Sequence, residues 1–246
     1  MPLSSSSPSI PDPVQASGKD GPWLVLDTST PTVKVGALYN NRWIAFVSSD
    51  RPTHEALDHA VREVSDACSC PPHRMAGFAY CQGPGSILGI RLAIISIKAW
   101  RALRPIGEEP APVYSFTSLE IAAETLAKSS GKSTDPVAIV AEWKKNAWNT
   151  LTFSPDSRTE HPAIEVWDPD RLASWAHRIY VIEQRKQWTP LPPEVPRITP
   201  DPDCLIDPAL RARLLSPADT WPIYSPEEKQ YIVWSGERHR APAPAS

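Results

Sequence analysis

The feature that most constrains the fold is an unusually apolar helix behind a glycine-rich loop. The stretch QGPGSILGIR, residues 82–91, continues directly into LAIISIKAW. Apolar side chains occupy most of the helix circumference: Ile87, Leu88, Ile90, Leu92, Ala93, Ile94, Ile95, Ile97, Ala99, Trp100 and Leu103. One sheet covers only one side of such a helix, so its other sides need further cover. The sequence therefore predicts that a second layer of this chain, or another protein, packs on the helix.

Two interpretations of the loop itself are open. Successive backbone amides at a helix N-terminus bind phosphate, and the GPGSILG segment has the right position for that. However, the segment lacks the Lys-Ser/Thr ending of a P-loop, and its glycine spacing is not the dinucleotide-binding fingerprint. The alternative is steric: Gly83 and Gly85 permit backbone conformations closed to other residues, and Gly89 lets another segment pack against the first helical turn.

Charge and composition argue against several classes of function. The chain has 246 residues, a formal net charge of −3 and an isoelectric point near 6.1. These values give no global attraction to nucleic acid or to an anionic membrane. No apolar run reaches the roughly 18 residues needed to span a bilayer. Residues 1–20 are rich in proline and serine and carry no secretory signal, so we expect a disordered leader on a soluble, cytoplasmic protein.

The cysteine and histidine patterns do not indicate a metal site. The four cysteines are Cys68, Cys70, Cys81 and Cys204, too few for a disulfide framework in a chain of this size. Cys68 and Cys70 lie near His73, but their spacing is not that of a zinc knuckle. No two of the six histidines are four residues apart. We therefore expect no metal and no cofactor.

The two halves of the chain differ in composition. Eight of the ten glycines lie at or before Gly107, whereas nine of the 29 prolines lie in residues 190–222. Hydrophobic periodicity predicts the order β-β-β-α-β-α-β-α in the first half, a mixed sheet with covering helices. The second half reads as a strand pair joined near Lys144–Asn146, followed by short strands and helices. No internal repeat or heptad register is evident.

Four segments together resemble the TsaB (YeaZ) family. They are LVLDTSTPTVKVGAL, THEAL, GPGSILGIRLAIISIKAW and PVYSFTSLEIAA, which lie within residues 23–125. The Gly-Pro-Gly-Ser block with its following Gly and Arg is the most specific of them. A weaker likeness lies in WPIYSPEEKQYIVW near the C-terminus.

The resemblance implies an α/β fold of the actin-like type, related to Hsp70 and ribonuclease H, with two lobes of mixed sheets and covering helices. On this basis we predict a disordered leader at 1–20, a first lobe at 21–118 that carries the partner-binding helices, a second and diverged lobe at 119–238, and a flexible tail at 239–246.

The resemblance also implies a role in making threonylcarbamoyladenosine at position 37 of tRNA. In that family the protein is a non-catalytic subunit that supports the catalytic TsaD, with the small ATPase TsaE joining the complex, and it meets tRNA only indirectly. The contact with TsaD is made largely by two first-lobe helices, here residues 53–67 and 86–103. The predicted interface residues are Leu57, Val61, Val64, Gly85, Ile87, Gly89, Ile90, Arg91, Ile94, Ile97 and Lys98.

Two alternatives stay open. A diverged actin-fold ATPase or kinase would bind nucleotide through Asp27, with Ser29 and Thr30 as weak further candidates. Such a site also needs glycine in the second lobe, where only Gly131 and Gly236 follow Gly107. The Asp-Thr-Ser-Thr segment is equally typical of a capped hairpin turn. The other alternative is a homodimer formed through the same helices.

Overall fold

The described part of the chain forms two mixed sheets joined by a helix. The computed structural model describes residues 12, 14, 20–129, 134–155, 163–184, 187–189 and 191–226. The predicted tail at 239–246 and most of the predicted leader lie outside these residues.

The strands and helices follow the predicted order. In chain order the strands are β1 Trp23–Asp27, β2 Val33–Tyr39, β3 Arg42–Ser49, β4 Gly77–Gly83, β5 Val113–Thr117, β6 Val137–Lys144, β7 Ala147–Phe153, β8 Ile164–Trp167, β9 Arg178–Ile182, β10 Arg197–Ile198 and β11 Ser216–Pro217. The α-helices are α1 Thr53–Ala67, α2 Ile87–Ala102, α3 Ser118–Ser129, α4 Pro169–Ser174 and α5 Pro208–Leu214. None of these helices combines the length and the hydropathy needed to cross a bilayer.

The two sheets share one topology. The first has the strand order β11-β5-β4-β1-β2-β3 and the second β10-β9-β6-β7-β8. In each sheet the first strand of the lobe pairs antiparallel with the next and parallel with a later one: β1 with β2 and β4, and β6 with β7 and β9. The five-strand pattern is therefore repeated, although the sequence shows no internal repeat.

The first sheet is covered on both faces. Strand β1 is fully buried, as its continuous apolar run predicts. Helices α1 and α2 cover one face, where Leu24 and Phe78 join their buried side chains. The other face carries Trp23 and Val25.

That second face is covered by residues from the far end of the described chain. Cys204, Leu205 and Leu210 pack against Trp23 and Phe116. Strand β11 pairs antiparallel with β5 and so extends the first sheet. The predicted second lobe, 119–238, is corrected here, because the described residues from Pro202 onward return to the first lobe.

The predicted leader is anchored at its described positions. Asp12 forms an ion pair with Arg211, which is only 1% exposed. Val14 packs in the same cluster as Trp23, and the Asp20 carboxylate accepts a hydrogen bond of 2.8 Å from Tyr39. These residues are therefore part of the first lobe rather than of a free leader.

Helix α3 links the two lobes. Thr117 Oγ1 accepts a hydrogen bond from Glu120 N at 3.2 Å and donates one to the Glu120 carboxylate at 2.5 Å. The Thr117 hydroxyl therefore caps the first turn of α3. Leu119 and Leu126 on α3 pack with Ile139 and Leu151 of the second sheet. The helix therefore begins at the end of the first sheet and covers one face of the second.

The opposite face of the second sheet is covered by aromatic residues and by the proline-rich segment. Trp148 and Trp167 form its buried centre, and Trp175 packs against them. Leu191 and Val195 of the proline-rich segment complete the cluster. Only the six-residue α4 stands where the first lobe has the 15-residue α1.

Candidate functional site

The glycine-rich loop packs directly against the turn that follows β1. Ser86 N donates a hydrogen bond of 2.7 Å to the Ser29 carbonyl, and Ser86 Oγ caps α2 by accepting from Gly89 N. A Cβ on Gly85 would lie 2.3 Å from the Ser29 carbonyl oxygen, and one on Gly89 would lie 2.2 Å from that of Thr28. Such separations are far too short for a side chain. The steric interpretation of these two glycines is therefore confirmed.

The side chains proposed as weak nucleotide contacts hold the turn together. The Asp27 carboxylate accepts hydrogen bonds from Ser29 N at 2.9 Å and Ser29 Oγ at 2.7 Å. Thr30 Oγ1 donates to the Thr32 carbonyl at 2.8 Å. Asp27, Ser29 and Thr30 are at most 3% exposed. This geometry is that of a capped turn whose polar groups bond one another.

A buried thiol completes this polar cluster. Cys81 Sγ lies 3.3 Å from Ser29 Oγ and donates a hydrogen bond to it. Burial and the neighbouring charge of Asp27 raise the pKa of Cys81 well above its ordinary value. Because the thiolate is the nucleophilic form, this cysteine is held in its unreactive state. In the described ranges no group of three or more His, Cys, Asp or Glu side chains is placed to hold a metal ion.

Most predicted interface residues on the two helices lie in the core of the first lobe. The buried ones are Leu57, Val61, Val64, Gly89, Ile90, Ile94 and Ile97, and the side chains among them are at most 6% exposed. They pack against the sheet, so their side chains are not available to a partner. The predicted surface is corrected accordingly.

The other predicted residues have different positions. Gly85 is half-buried beneath the turn. Ile87 is 54% exposed, and Arg91 and Lys98 are also exposed on α2. These three side chains, together with Leu88 and Ile95, define the accessible face of the helix.

An apolar strip runs along this accessible face. Leu88 is 78% exposed and Ile95 is 63% exposed, and Leu103 and Ile106 continue the strip just past the helix. With Ile87 they account for five of the nine large apolar side chains that are exposed in the described part of the chain. The predicted interface includes Ile87 but not Leu88, Ile95, Leu103 or Ile106.

A signal for this strip is present in the sequence. Leu88, Leu92, Ile95, Ala99 and Ala102 follow one another at alternating steps of four and three residues. This is the spacing by which one helix packs along another. The signal is obscured because the opposite face of α2 is equally apolar.

Helix α1 presents a contrasting surface beside the strip. The two helices lie side by side on the first sheet. The exposed face of α1 is acidic and carries Glu55, Asp58, Glu63 and Asp66, with Arg62 paired to Asp58 at 3.0 Å. We call the accessible faces of α1 and α2 together the helical face. It combines an apolar strip, the basic residues Arg91 and Lys98, and a neighbouring acidic row.

The repeated strand order, the linking helix and the loop on the β1 turn define an actin-like α/β protein with two lobes. Among solved structures the chain is similar to YeaZ from Pseudomonas aeruginosa, with a TM-score of 0.50 and 22% identity over 66% of this chain and 76% of that one. It is equally similar, at 21% identity and with the same coverage and TM-score, to a protein from the same bacterium described as uncharacterized with similarity to the peptidase YeaZ. The predicted YeaZ-type, actin-like fold is confirmed by these matches. No protein-family model and no curated protein matches the sequence.

Proposed function

We propose that this chain is a non-catalytic, TsaB-like subunit of the complex that makes threonylcarbamoyladenosine at position 37 of tRNA. In this proposal it binds a TsaD-like catalytic subunit, a TsaE-like ATPase joins the assembly, and the protein acts in the cytoplasm without a cofactor. The sequence motifs and the YeaZ-type fold support the assignment. The observation that carries it is the apolar strip on α2, which nothing in the described chain covers.

The chemistry of the β1 turn favours a non-catalytic role for this chain. Asp27 and Ser29 bond each other, and the Cys81 thiol next to them is kept protonated. The glycines of the loop permit close packing against this turn. We infer that the loop fixes the start of α2 and so positions the strip for a partner.

The proposed interface is tested by Ile95→Asp with Ile44→Asp as its matched control. Both isoleucines are exposed, at 63% and 40%, but Ile44 lies on β3, away from α2. We expect Ile95→Asp to abolish co-purification of a co-expressed TsaD-like subunit, since a charge at the centre of an apolar interface typically weakens binding at least about 30-fold. Ile44→Asp should co-purify normally. Both variants should keep the circular dichroism spectrum and melting temperature of the wild type.

Undiminished co-purification of the Ile95→Asp variant would contradict the interface. The buried positions Ile94 and Gly89 are unsuitable for this test, because a charged side chain at either would disrupt the first lobe itself.

A second copy of this chain is the other partner that the helical face fits. Arg91 and Lys98 lie on α2, beside the acidic row of α1. Opposite charges on one face allow a two-fold dimer to pair each basic residue with an acidic residue of the other copy. Light scattering of the isolated chain distinguishes the two states. A mass of about twice 27.1 kDa, reduced to half by Ile95→Asp, would support a homodimer. A monomeric mass for the wild type would exclude it.

A further inference from the structure

A small aromatic and basic surface lies at the tip of the β6–β7 hairpin, in the second lobe. It consists of Trp143, Lys144, Lys145 and Trp188, which we call the hairpin patch. The ladder pairs Glu142 with Trp148 and Lys144 with Ala147, so Trp143 is the extra residue of a β-bulge. Bulges re-aim side chains at the ends of hairpins. Here the bulge places an indole beside two lysines.

The hairpin patch is rigidly supported from below. The Glu142 carboxylate is 7% exposed and accepts hydrogen bonds from Trp188 N at 2.6 Å and from Thr189 N at 2.7 Å. Asn146 N donates to Thr189 Oγ1 at 2.8 Å. These bonds fix Trp188 against the hairpin, although 46 residues separate it from Glu142.

The burial of Glu142 also determines the charge of the surface. Its carboxylate is engaged by two backbone amides below the patch rather than exposed among the lysines. Of the exposed side chains at the tip, Lys144 and Lys145 are positive and Asn146 is neutral. The hairpin patch is therefore locally basic in a chain whose formal net charge is −3.

The indoles present accessible ring surface beside this charge. Trp188 is 54% exposed, although burial is strongly favourable for so large an apolar group. Lys144 Nζ lies 3.9 Å from the ring centroid of Trp143, in a cation–π contact. A ligand that matches the patch has a flat ring that stacks on indole and an anionic group that pairs with ammonium.

We propose that the hairpin patch binds unpaired nucleotides of RNA. A nucleotide combines a stacking base with a phosphate, and proteins bind unpaired strands with aromatic side chains beside a basic surface. A duplex hides its base faces and so offers the phosphates alone. The choice of RNA as the nucleic acid rests on the proposed function, whereas the stacking and charge argument rests on the patch. The chain would then touch its tRNA directly.

Fluorescence anisotropy with the full chain tests the proposal. The probe is a fluorescein-labelled RNA stem-loop with about seven unpaired loop nucleotides, compared with a fully paired duplex of the same length. We expect the stem-loop to bind at least about tenfold more tightly than the duplex. Trp188→Ala should weaken stem-loop binding about tenfold, the effect of losing one stacked base, and Trp188→Phe should retain most of the affinity.

Charge variants separate phosphate contacts from stacking. The double variant Lys144→Glu with Lys145→Glu should weaken stem-loop binding more than Trp188→Ala does. It should also lower the slope of log affinity against log salt by about 1.4, because two phosphate contacts are lost. Arg42→Glu, which changes an exposed basic residue on β3 of the other lobe, is the matched control and should leave binding unchanged.

Three results would overturn the proposal: equal affinity for stem-loop and duplex, unchanged binding in the Trp188→Ala and double-lysine variants, or saturable binding only to vesicles containing phosphatidylserine. The failure of this proposal is distinguishable from failure of the proposed function. The double-lysine variant should still co-purify with the TsaD-like subunit, and Ile95→Asp should still bind the stem-loop.

Discussion

The two lobes have the same strand order but cover their sheets in different ways. The first lobe uses α1 and α2, of 15 and 16 residues, on one face of its sheet. The second uses tryptophans, a six-residue helix and a proline-rich segment. The backbone pattern of the sheet is thus compatible with very different covering layers. The helices give the first lobe an apolar face for a partner, whereas the second lobe displays tryptophan and lysine at one hairpin.

This difference explains the uneven composition of the chain. Glycines are concentrated in the first half, where Gly85 and Gly89 allow a loop and a helix to contact the β1 turn. Pro192, Pro193 and Pro196 lie where an irregular segment, rather than a helix, covers the second sheet. Composition therefore follows the covering layer rather than the sheet.

The strongest test of the comparison removes the aromatic cover of the second lobe. Trp167 is 1% exposed, packs on Trp175 with ring centroids 5.1 Å apart, and donates from Nε1 to Glu165 at 3.1 Å. Trp167→Ala should lower the free energy of unfolding by about 3–5 kcal/mol, because it leaves a large cavity. Urea denaturation followed by circular dichroism measures the loss.

Val166→Ala is the matched control for this change. Val166 is the neighbouring residue of β8 and is 43% exposed, so its truncation should cost below about 0.5 kcal/mol. A similarly small loss for Trp167→Ala would show that the tryptophan does not take the place of a covering helix.

A smaller effect is expected from the loop that distinguishes the first lobe. Gly89→Ala should destabilise the protein by about 2 kcal/mol, because the new methyl group clashes with the Thr28 carbonyl. The clash outweighs the gain of up to about 1 kcal/mol that alanine brings to a helix interior. Thermal unfolding of the variant checks this balance, and a raised melting temperature would contradict it.

Gly107→Ala separates this packing effect from backbone strain. Unlike Gly89, Gly107 has a positive φ, +91°, and nothing lies within 4 Å of the position of its Cβ. Only the backbone strain, about 1 kcal/mol, is then expected. If the two glycine variants were equally destabilised, close packing on the β1 turn would not be the cause.

The smallest predicted effect concerns the thiol of Cys204, which is buried in the first lobe. Burial raises the pKa of Cys204 from 9.0 to about 12. Above pH 9 the unfolded thiol loses its proton while the folded one keeps it, so stability falls as pH rises from 9 toward 12. Between pH 9 and pH 10 this group alone should cost about 1 kcal/mol. Urea denaturation at both pH values should show a smaller loss in Cys204→Ala than in the wild type, and equal losses would contradict the shift.

The sequence was sufficient for the order of the elements in the first lobe. The apolar run of β1, the turn at Asp27 and the stripe of Leu57, Val61 and Val64 are local patterns that packing reinforces. The return of Cys204 and Leu205 to the first sheet was not predictable in this way. It depends on contacts across the whole chain, and β11 has only two residues.

The candidate site was predicted only in outline. The Gly-Pro-Gly-Ser motif located α2. Because apolar residues occupy most of the helix circumference, however, the sequence does not show which of them face the sheet and which face outward. Ile94 and Ile95 illustrate this: adjacent in sequence and equal in chemistry, they are 6% and 63% exposed.

The return of the chain to the first sheet has a consequence for synthesis on the ribosome. The second lobe, 134–198, lies between two parts of the first, so Trp23 and Phe116 emerge long before Cys204 and Leu205 can cover them. At 5–20 residues per second, the roughly 90 residues between Phe116 and Cys204 take about 4–18 s to translate. During that interval the nascent first lobe exposes an apolar face that a chaperone or an aggregating neighbour can reach. The speed at which the second lobe is translated therefore sets how long the first lobe is vulnerable.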